Sequence, residues 1–243
     1  MAKNKIRTLS FFSGAGGLDL GFHRANFDIV YASDIESLFC NSMESNKGTY
    51  VDRKTVIQSG DIRDIDPNKL PGDIDFIIGG PPCQSFSASG RRAGGAAGQL
   101  DDRGTLFQAY GRIISAKQPK GFLFENVRGI LGSNKGEDWL EIKLYFSNLG
   151  YKLDYRILDA ADYGIAQHRE RLLMIGHKLD SEFQFPRPTV GPDSANQAPH
   201  VSAREAIEGV KSSECKKDLT LSGGKYSHLL QEVPPGGNYL HFT

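Results

Sequence analysis

No apolar run in this chain approaches the about 20 residues that a helix needs to cross a bilayer, so no helical membrane span is expected. The start, Met1-Ala-Lys-Asn-Lys-Ile-Arg7, leads straight into a strand-like segment and carries no secretory pattern. Cysteine is scarce. Cys40, Cys83 and Cys215 have neither paired nor metal-like spacing, which argues against a disulfide framework and fits a reducing, cytoplasmic setting. The six histidines show no ligand spacing, and no metal is expected. Neither charge sign is in excess: Lys plus Arg and Asp plus Glu number 29 each, whereas a stand-alone nucleic-acid binder usually shows a basic surplus. No internal repeat is visible.

The 243 residues suffice for one large domain or a domain with an appendage, and a hydrophobic content of 39% is compatible with a packed core. Strand-like segments fall at 7–12, 27–32, 55–58, 75–78, 121–125, 152–158 and 171–176. Helix-like segments fall at 18–26, 35–45, 105–116 and 139–149. Strands alternating with helices predict an α/β fold with a doubly wound, mostly parallel sheet. After Gly176 the texture changes. Residues 186–199 are rich in Pro, Ser, Asn and Gly and read as a linker or surface excursion, and 201–210 read as one short helix.

The most informative segment is Gly79-Gly-Pro-Pro-Cys-Gln-Ser-Phe-Ser87, which follows an apolar run at 74–78. Proline fixes φ and glycine admits unusual φ, so a strand ending this way holds its next residue in a stiff turn. That residue is Cys83. A thiol so presented is a candidate nucleophile, and a buried structural cysteine is the competing reading. From this segment alone the two balance. Cys40, inside an amphipathic helix pattern, reads as core, and Cys215, beside two lysines, as surface.

Between the first strand and first helix lies Ser13-Gly-Ala-Gly-Gly17, a turn that lets a ligand approach the backbone closely. It is not the nicotinamide dinucleotide fingerprint, whose third glycine would fall where Asp19 stands. A carboxylate there suits the helix dipole but opposes a pyrophosphate. A ligand without phosphate, such as S-adenosylmethionine, fits better. Asp34 closes the second strand, where an acid can bind ribose hydroxyls. Asp61 follows the third strand, placed to accept from an adenine amine. Ligands of open α/β sheets bind at such strand ends.

Glu125 ends an apolar strand and is expected to be half-buried. In Gln167-His-Arg-Glu-Arg171 the two arginines face one side if the stretch is extended, suited to a carboxylate or phosphate. Residues 88–104 are too glycine-rich for a stable element and read as a lid. Their Arg91 and Arg92 are candidate phosphate contacts.

These segments together resemble the DNA cytosine-5 methyltransferases. The resemblance rests on Phe12-Ser-Gly-Ala-Gly-Gly17, Gly60-Asp-Ile62, Gly80-Pro-Pro-Cys-Gln-Ser85, Asp102-Arg-Gly-Thr-Leu-Phe107, Glu125-Asn-Val127 and Gln167-His-Arg-Glu-Arg171. They stand in family order over about the first three-quarters of the chain. The resemblance implies a Rossmann-like sheet of the S-adenosylmethionine-dependent type. It implies attack by Cys83 on cytosine C6, Glu125 at N3 and the exocyclic amine, Arg169 at O2, and Asn126 bracing the Pro81–Cys83 turn. Phe12, Ser13, Gly14, Gly16, Gly17, Asp34, Ile35, Asp61, Ile62, Pro82 and Leu106 would meet the cofactor, with S-adenosylhomocysteine as product. Gln84, Ser87, Arg91, Arg92 and Arg171 would meet double-stranded DNA. The family often has Glu followed by an aromatic where this chain has Asp34-Ile35, leaving an apolar contact in place of adenine stacking.

The resemblance also implies a division into a catalytic cofactor-binding domain, 1–180, and an extension, 181–243, leading towards a target-recognition domain. The family's final conserved blocks are not found in the sequence. The expectation is therefore the larger, catalytic subunit of a split prokaryotic restriction-modification enzyme, with a second subunit carrying recognition. A fragment of a single-chain enzyme, a non-catalytic cofactor-binding subunit, a transfer-RNA methyltransferase and, more distantly, a nicotinamide oxidoreductase are the alternatives.

Overall fold

The structure, a computed structural model, describes residues 5–82 and 106–209. Among the described residues, seven strands form one sheet in the order β3-β2-β1-β4-β5-β7-β6. Strands β1 (Ile6–Phe11), β2 (Phe27–Asp34), β3 (Val56–Ser59), β4 (Phe76–Gly79) and β5 (Gly121–Val127) pair in parallel. β7 (Glu170–His177) runs antiparallel between β5 and β6 (Lys152–Asp159). The reason for the reversal is length. Residues 160–169, which join β6 to β7, are fewer than the about a dozen that a parallel crossover requires.

Helices α1 (Gly17–Arg24), α2 (Ser37–Ser45), α3 (Leu106–Lys117) and α4 (Glu137–Asn148) cover the sheet. Side chains alternate across it. Ile77, Phe122 and Phe124 join one core with Tyr110 of α3 and Phe146 of α4, while Ile78 and Leu123 join a second with Met43 of α2. Leu18 and Phe22 of α1 pack against that second core. Burial on both faces explains why the central strands read as continuous apolar runs rather than alternating ones.

The helix boundaries differ slightly from the sequence expectation, for local reasons. α2 begins at Ser37 rather than 35 because Asp34 Oδ1 accepts the Glu36 N–H at 3.0 Å and holds the entry extended. α1 stops at Arg24 because Asn26 takes a left-handed φ of 69°. The helix expected over 201–210 is α5 (Ala203–Ile207), with Ser202 and Glu205 forming a capping box.

By compactness the chain divides into Met1–His200 and Val201–Thr243. The excursion at 186–199 belongs with the first unit. Thr189 and Val190 donate their N–H groups to the Asp162 carbonyl at 2.9 and 3.1 Å, and His200 Nε2 meets Asp162 Oδ1 at 2.9 Å.

Candidate active site

The strand order reverses between β1 and its neighbours β2 and β4, and the crevice above such a switch point is where open α/β sheets bind ligands. A cavity of about 260 Å3 lies there, lined by Phe12, Ser33, Asp34, Ile35, Gly60, Asp61, Ile62, Arg63, Pro82 and Leu106. Seven of these were expected cofactor contacts from the sequence. Ser33, Gly60 and Arg63 were not. Gly60 and Arg63 flank Asp61, so the turn around that acid carried the signal for them. Ser13, Gly14, Gly16 and Gly17 do not line the cavity; the first three form the turn beside it and Gly17 opens α1.

Backbone hydrogen bonds tie the strand ends together. The Ser13 N–H donates to the Ser33 carbonyl at 3.1 Å and the Gly60 N–H to the Asp34 carbonyl at 2.9 Å. Gly14 N–H donates to Asp34 Oδ2 at 2.8 Å. Asp34 therefore spends one oxygen on the glycine turn and the other on the entry to α2, while a carboxylate's remaining lone pairs are available to a hydroxyl. Phe12 takes a left-handed φ of 55° although it is not glycine, a strained backbone that places its ring in the cavity wall. Nothing in the sequence signalled that strain.

Asp61 caps the short 3-10 turn Ile62–Asp64 through the Arg63 N–H, at 2.9 Å, and its Oδ2 meets the Arg63 guanidinium at 2.6 Å. The hydrogen bonds from Arg63 hold its carboxyl below the usual range. In this geometry an amine arriving at Asp61 shares the carboxylate with Arg63.

A second group gathers at the end of β5. Glu125 is partly buried, and its Oε1 lies 3.0 Å from Arg171 Nε. A Cβ placed on Gly80 would come within 2.8 Å of Glu125 Oε2, so the carboxylate packs directly against the Gly80 backbone. Asn126 is 4% exposed; its Nδ2 donates to the Pro81 carbonyl at 2.9 Å and its Oδ1 accepts the Val127 N–H at 2.8 Å. The turn at Pro81 is thereby fastened to β5.

The two arginines do not share a position. Arg169 precedes the first residue of β7 and is exposed, its N–H donated to Asp159 Oδ1 at 2.7 Å. Arg171, inside β7, is the one on Glu125. Asp159 Oδ2 also meets His168 Nδ1 at 2.8 Å, and Arg128 pairs with Glu170 at 3.0 Å. Arg128, His168, Arg169 and Arg171 line an open basin beside the Glu125 end of the site.

Cys83, Gln84, Ser87, Arg91, Arg92 and the expected lid lie outside the described residues, as does Cys215. Cys40 is buried, its thiol directed at the Asp34 and Gln58 carbonyls at 3.6 Å, and burial pushes its pKa up. It is core, as expected, and unsuited to nucleophilic work. Among the described residues no cluster of His, Cys, Asp or Glu is disposed to hold a metal ion, and no helix is long and apolar enough to cross a membrane.

The chain is similar to proteins of named function. Type II methyltransferase M.NgoFVII of Neisseria gonorrhoeae is 38% identical over 243 residues, covering 98% of this chain and 62% of that protein. Type II methyltransferase M.AquIA of Picosynechococcus sp. is 38% identical over 208 residues, covering 79% of each. Type II methyltransferase M.FnuDI of Fusobacterium nucleatum is 44% identical over 186 residues, and the chain spans about half of it, 51%. Among solved structures, a putative DNA modification methyltransferase encoded within an E. coli prophage superposes with a TM-score of 0.65 at 27% identity. The match covers 96% of this chain and 66% of that one. The family model described as C-5 cytosine-specific DNA methylase matches residues 6–232, and the chain belongs to that family.

Proposed function

We propose that this chain transfers a methyl group from S-adenosylmethionine to C5 of a cytosine in double-stranded DNA. The observation that carries the proposal is the convergence at the end of β5. Glu125 is wedged between Gly80 and Arg171, and Asn126 clasps the turn immediately before Cys83.

The cavity at the switch point fits the cofactor. Phe12, Ile35, Ile62, Pro82 and Leu106 offer apolar walls to a flat base, and Asp34 and Asp61 offer acceptors to hydroxyls and an amine. The cofactor, when bound, supplies an electrophilic methyl on a sulfonium.

Cytosine C5 is a poor nucleophile until the ring is activated. The Cys83 thiolate adds to C6, and the C5–C6 π electrons become those of an enamine. C5 takes the methyl, a base removes the C5 proton, and the returning electron pair expels the Cys83 thiolate. Glu125 holds N3 and the exocyclic amine while charge builds on the ring. Arg171, which aligns Glu125, is better placed than Arg169 to meet O2, and the reading assigns that role to it. Arg169 and Arg128 face the basin and would meet phosphate. The base must leave the duplex to reach these groups, at a cost of a few kcal/mol.

Target recognition is assigned to a second subunit, the partner expected from the sequence. One feature supports this: the even charge balance, where a chain that reads DNA by itself usually carries a basic surplus. The test is transfer of labelled methyl to DNA containing every short cytosine context, by the chain alone and with the product of the adjacent reading frame. Activity only with both supports the assignment. Efficient site-specific methylation by the chain alone contradicts the two-subunit reading and leaves the chemistry standing.

A further inference from the structure

Asp19 is the third residue of α1, in the first turn after the glycine loop. It is 2% exposed, and neither carboxylate oxygen has a hydrogen-bond partner. Its polar neighbour is Ser10 of β1, but the Ser10 hydroxyl is engaged with Ser13 Oγ at 2.9 Å. Leu18 and Phe22, on either side of it in α1, pack into the apolar core. A leucine or alanine would satisfy such a position, and an unpartnered buried carboxylate is among the costliest groups a fold can carry. Helix dipole and first-turn N–H groups offset part of that cost.

We propose that Asp19 is the buried counter-charge of the cofactor's sulfonium, and so a specificity-determining residue favouring S-adenosylmethionine over the neutral thioether product. The inference rests on the cofactor assignment made above. Asp19 neighbours Ser10, whose hydroxyl meets Ser13 Oγ of the glycine turn, and at 2% exposure little solvent screens it. A cation held on the ligand side of that turn gives the carboxylate the opposite charge it lacks; a thioether gives it nothing. The amino-acid end and the nucleoside are common to both ligands, so the contributions of Asp34, Asp61 and Arg63 cancel in the ratio of affinities. At an effective dielectric of about 20, opposite charges about 8 to 25 Å apart change an equilibrium by roughly threefold to thirtyfold.

The sign follows from the titration. Desolvation raises the Asp19 carboxyl to about 6, opposed in part by the Ser10 hydroxyl and its own N–H. These lie near the carboxylate without meeting hydrogen-bond geometry, and no second charged side chain contributes. Above that value Asp19 is charged and discriminates. Below it the proton neutralises the group, and preference for the sulfonium declines. Binding the cation favours the anion, so S-adenosylmethionine releases a proton near the titration midpoint and S-adenosylhomocysteine does not.

Both ligands are to be titrated into the full chain between about pH 5 and about pH 8, a range spanning the carboxyl's transition. Ligand-observed NMR gives affinities and calorimetry in buffers of different ionisation enthalpy gives protons. The affinity ratio should rise with pH through about 6. In Asp19→Asn the ratio at high pH should drop by roughly threefold to thirtyfold, lose its pH dependence, and leave thioether affinity intact. A wild-type ratio independent of pH overturns the inference even if the variant fails to fold. So does an unchanged ratio in a folded variant. Binding of neither ligand to the wild type overturns the cofactor assignment and this inference with it.

Discussion

Arg171 Nε meets Glu125 Oε1 at 3.0 Å, across the antiparallel pairing that sets β7 beside β5. In that register Arg171 stands opposite Val127, two residues along β5 from Glu125, so the guanidinium reaches back to the carboxylate. The pair holds the acid against Gly80. It also separates the two arginines of one short motif by position, since only Arg171 meets Glu125 among the ion pairs of the described residues.

Arg171→Gln is expected to lower kcat/KM by about a hundredfold or more, the usual scale for losing one electrostatic stabiliser at a reacting centre. Arg169→Gln is expected to weaken DNA affinity, more strongly at low salt, with little change in single-turnover rate. Equal effects of the two substitutions on single-turnover rate would return the O2 contact to Arg169.

Asn126→Ala removes a buried donor and acceptor together. Stability should fall by about 1–3 kcal/mol, since the Pro81 carbonyl and Val127 N–H lose their partner. Methyl transfer should fall by more than the unfolded fraction explains, because small misplacements of a nucleophile are costly. Denaturant titration and single-turnover rates separate the two losses.

The adjacent glycines predict opposite outcomes. A Cβ at Gly79 would meet the fully buried Tyr110 ring at 2.7 Å, so Gly79→Ala should destabilise the fold by about 1–3 kcal/mol. Tyr110 has little room to yield, as its hydroxyl bonds the Leu123 carbonyl at 2.7 Å. At Gly80 the Cβ meets only the Glu125 carboxylate. Gly80→Ala should spare stability and reduce activity by displacing that acid from Arg171. Melting temperature and turnover, measured on both, test the contrast.

Asp34→Ala and Asp61→Ala should each weaken S-adenosylmethionine binding by about 1–3 kcal/mol. Asp34→Ala should do so more, since it also releases Gly14 and Glu36. Asp61 adds a pH signature. Its carboxyl is depressed in the folded chain, so the stability it contributes is present above its unfolded pKa and is lost as pH falls through the folded value. The partner guanidinium is well exposed, which keeps that contribution small. Calorimetry of both variants at neutral and acid pH measures these effects.

Much of this was legible because the chemistry sits where local rules are strongest. Apolar runs bounded by glycine and proline located β1, β4 and β5, and Phe12 and Pro82, just past β1 and β4, line the cavity with residues at the ends of β2 and β3. Asn126 and the Pro81 turn were paired from the family resemblance, and the side-chain contact joins them. Other features depend on register and packing that sequence does not encode locally. Two arginines spaced by one residue look equivalent until the start of β7 is known. Asp34 shortened α2 through its own side chain. Asp19 read as an acid that suits a helix start and opposes a pyrophosphate, and nothing local in the sequence signalled its burial.

The central claim is covalent activation of cytosine by Cys83, and trapping the adduct tests it most directly. The chain, with the product of its neighbouring reading frame, is given S-adenosylmethionine and duplex DNA carrying 5-fluorocytosine. Fluorine at C5 cannot leave as a proton, so the adduct persists once the methyl is in place. The account predicts a denaturant-stable protein–DNA complex whose cross-linked peptide maps to Cys83, and no complex with Cys83→Ser. A cross-link at another residue, or 5-methylcytosine formed by Cys83→Ser at the wild-type rate in normal DNA, would contradict it.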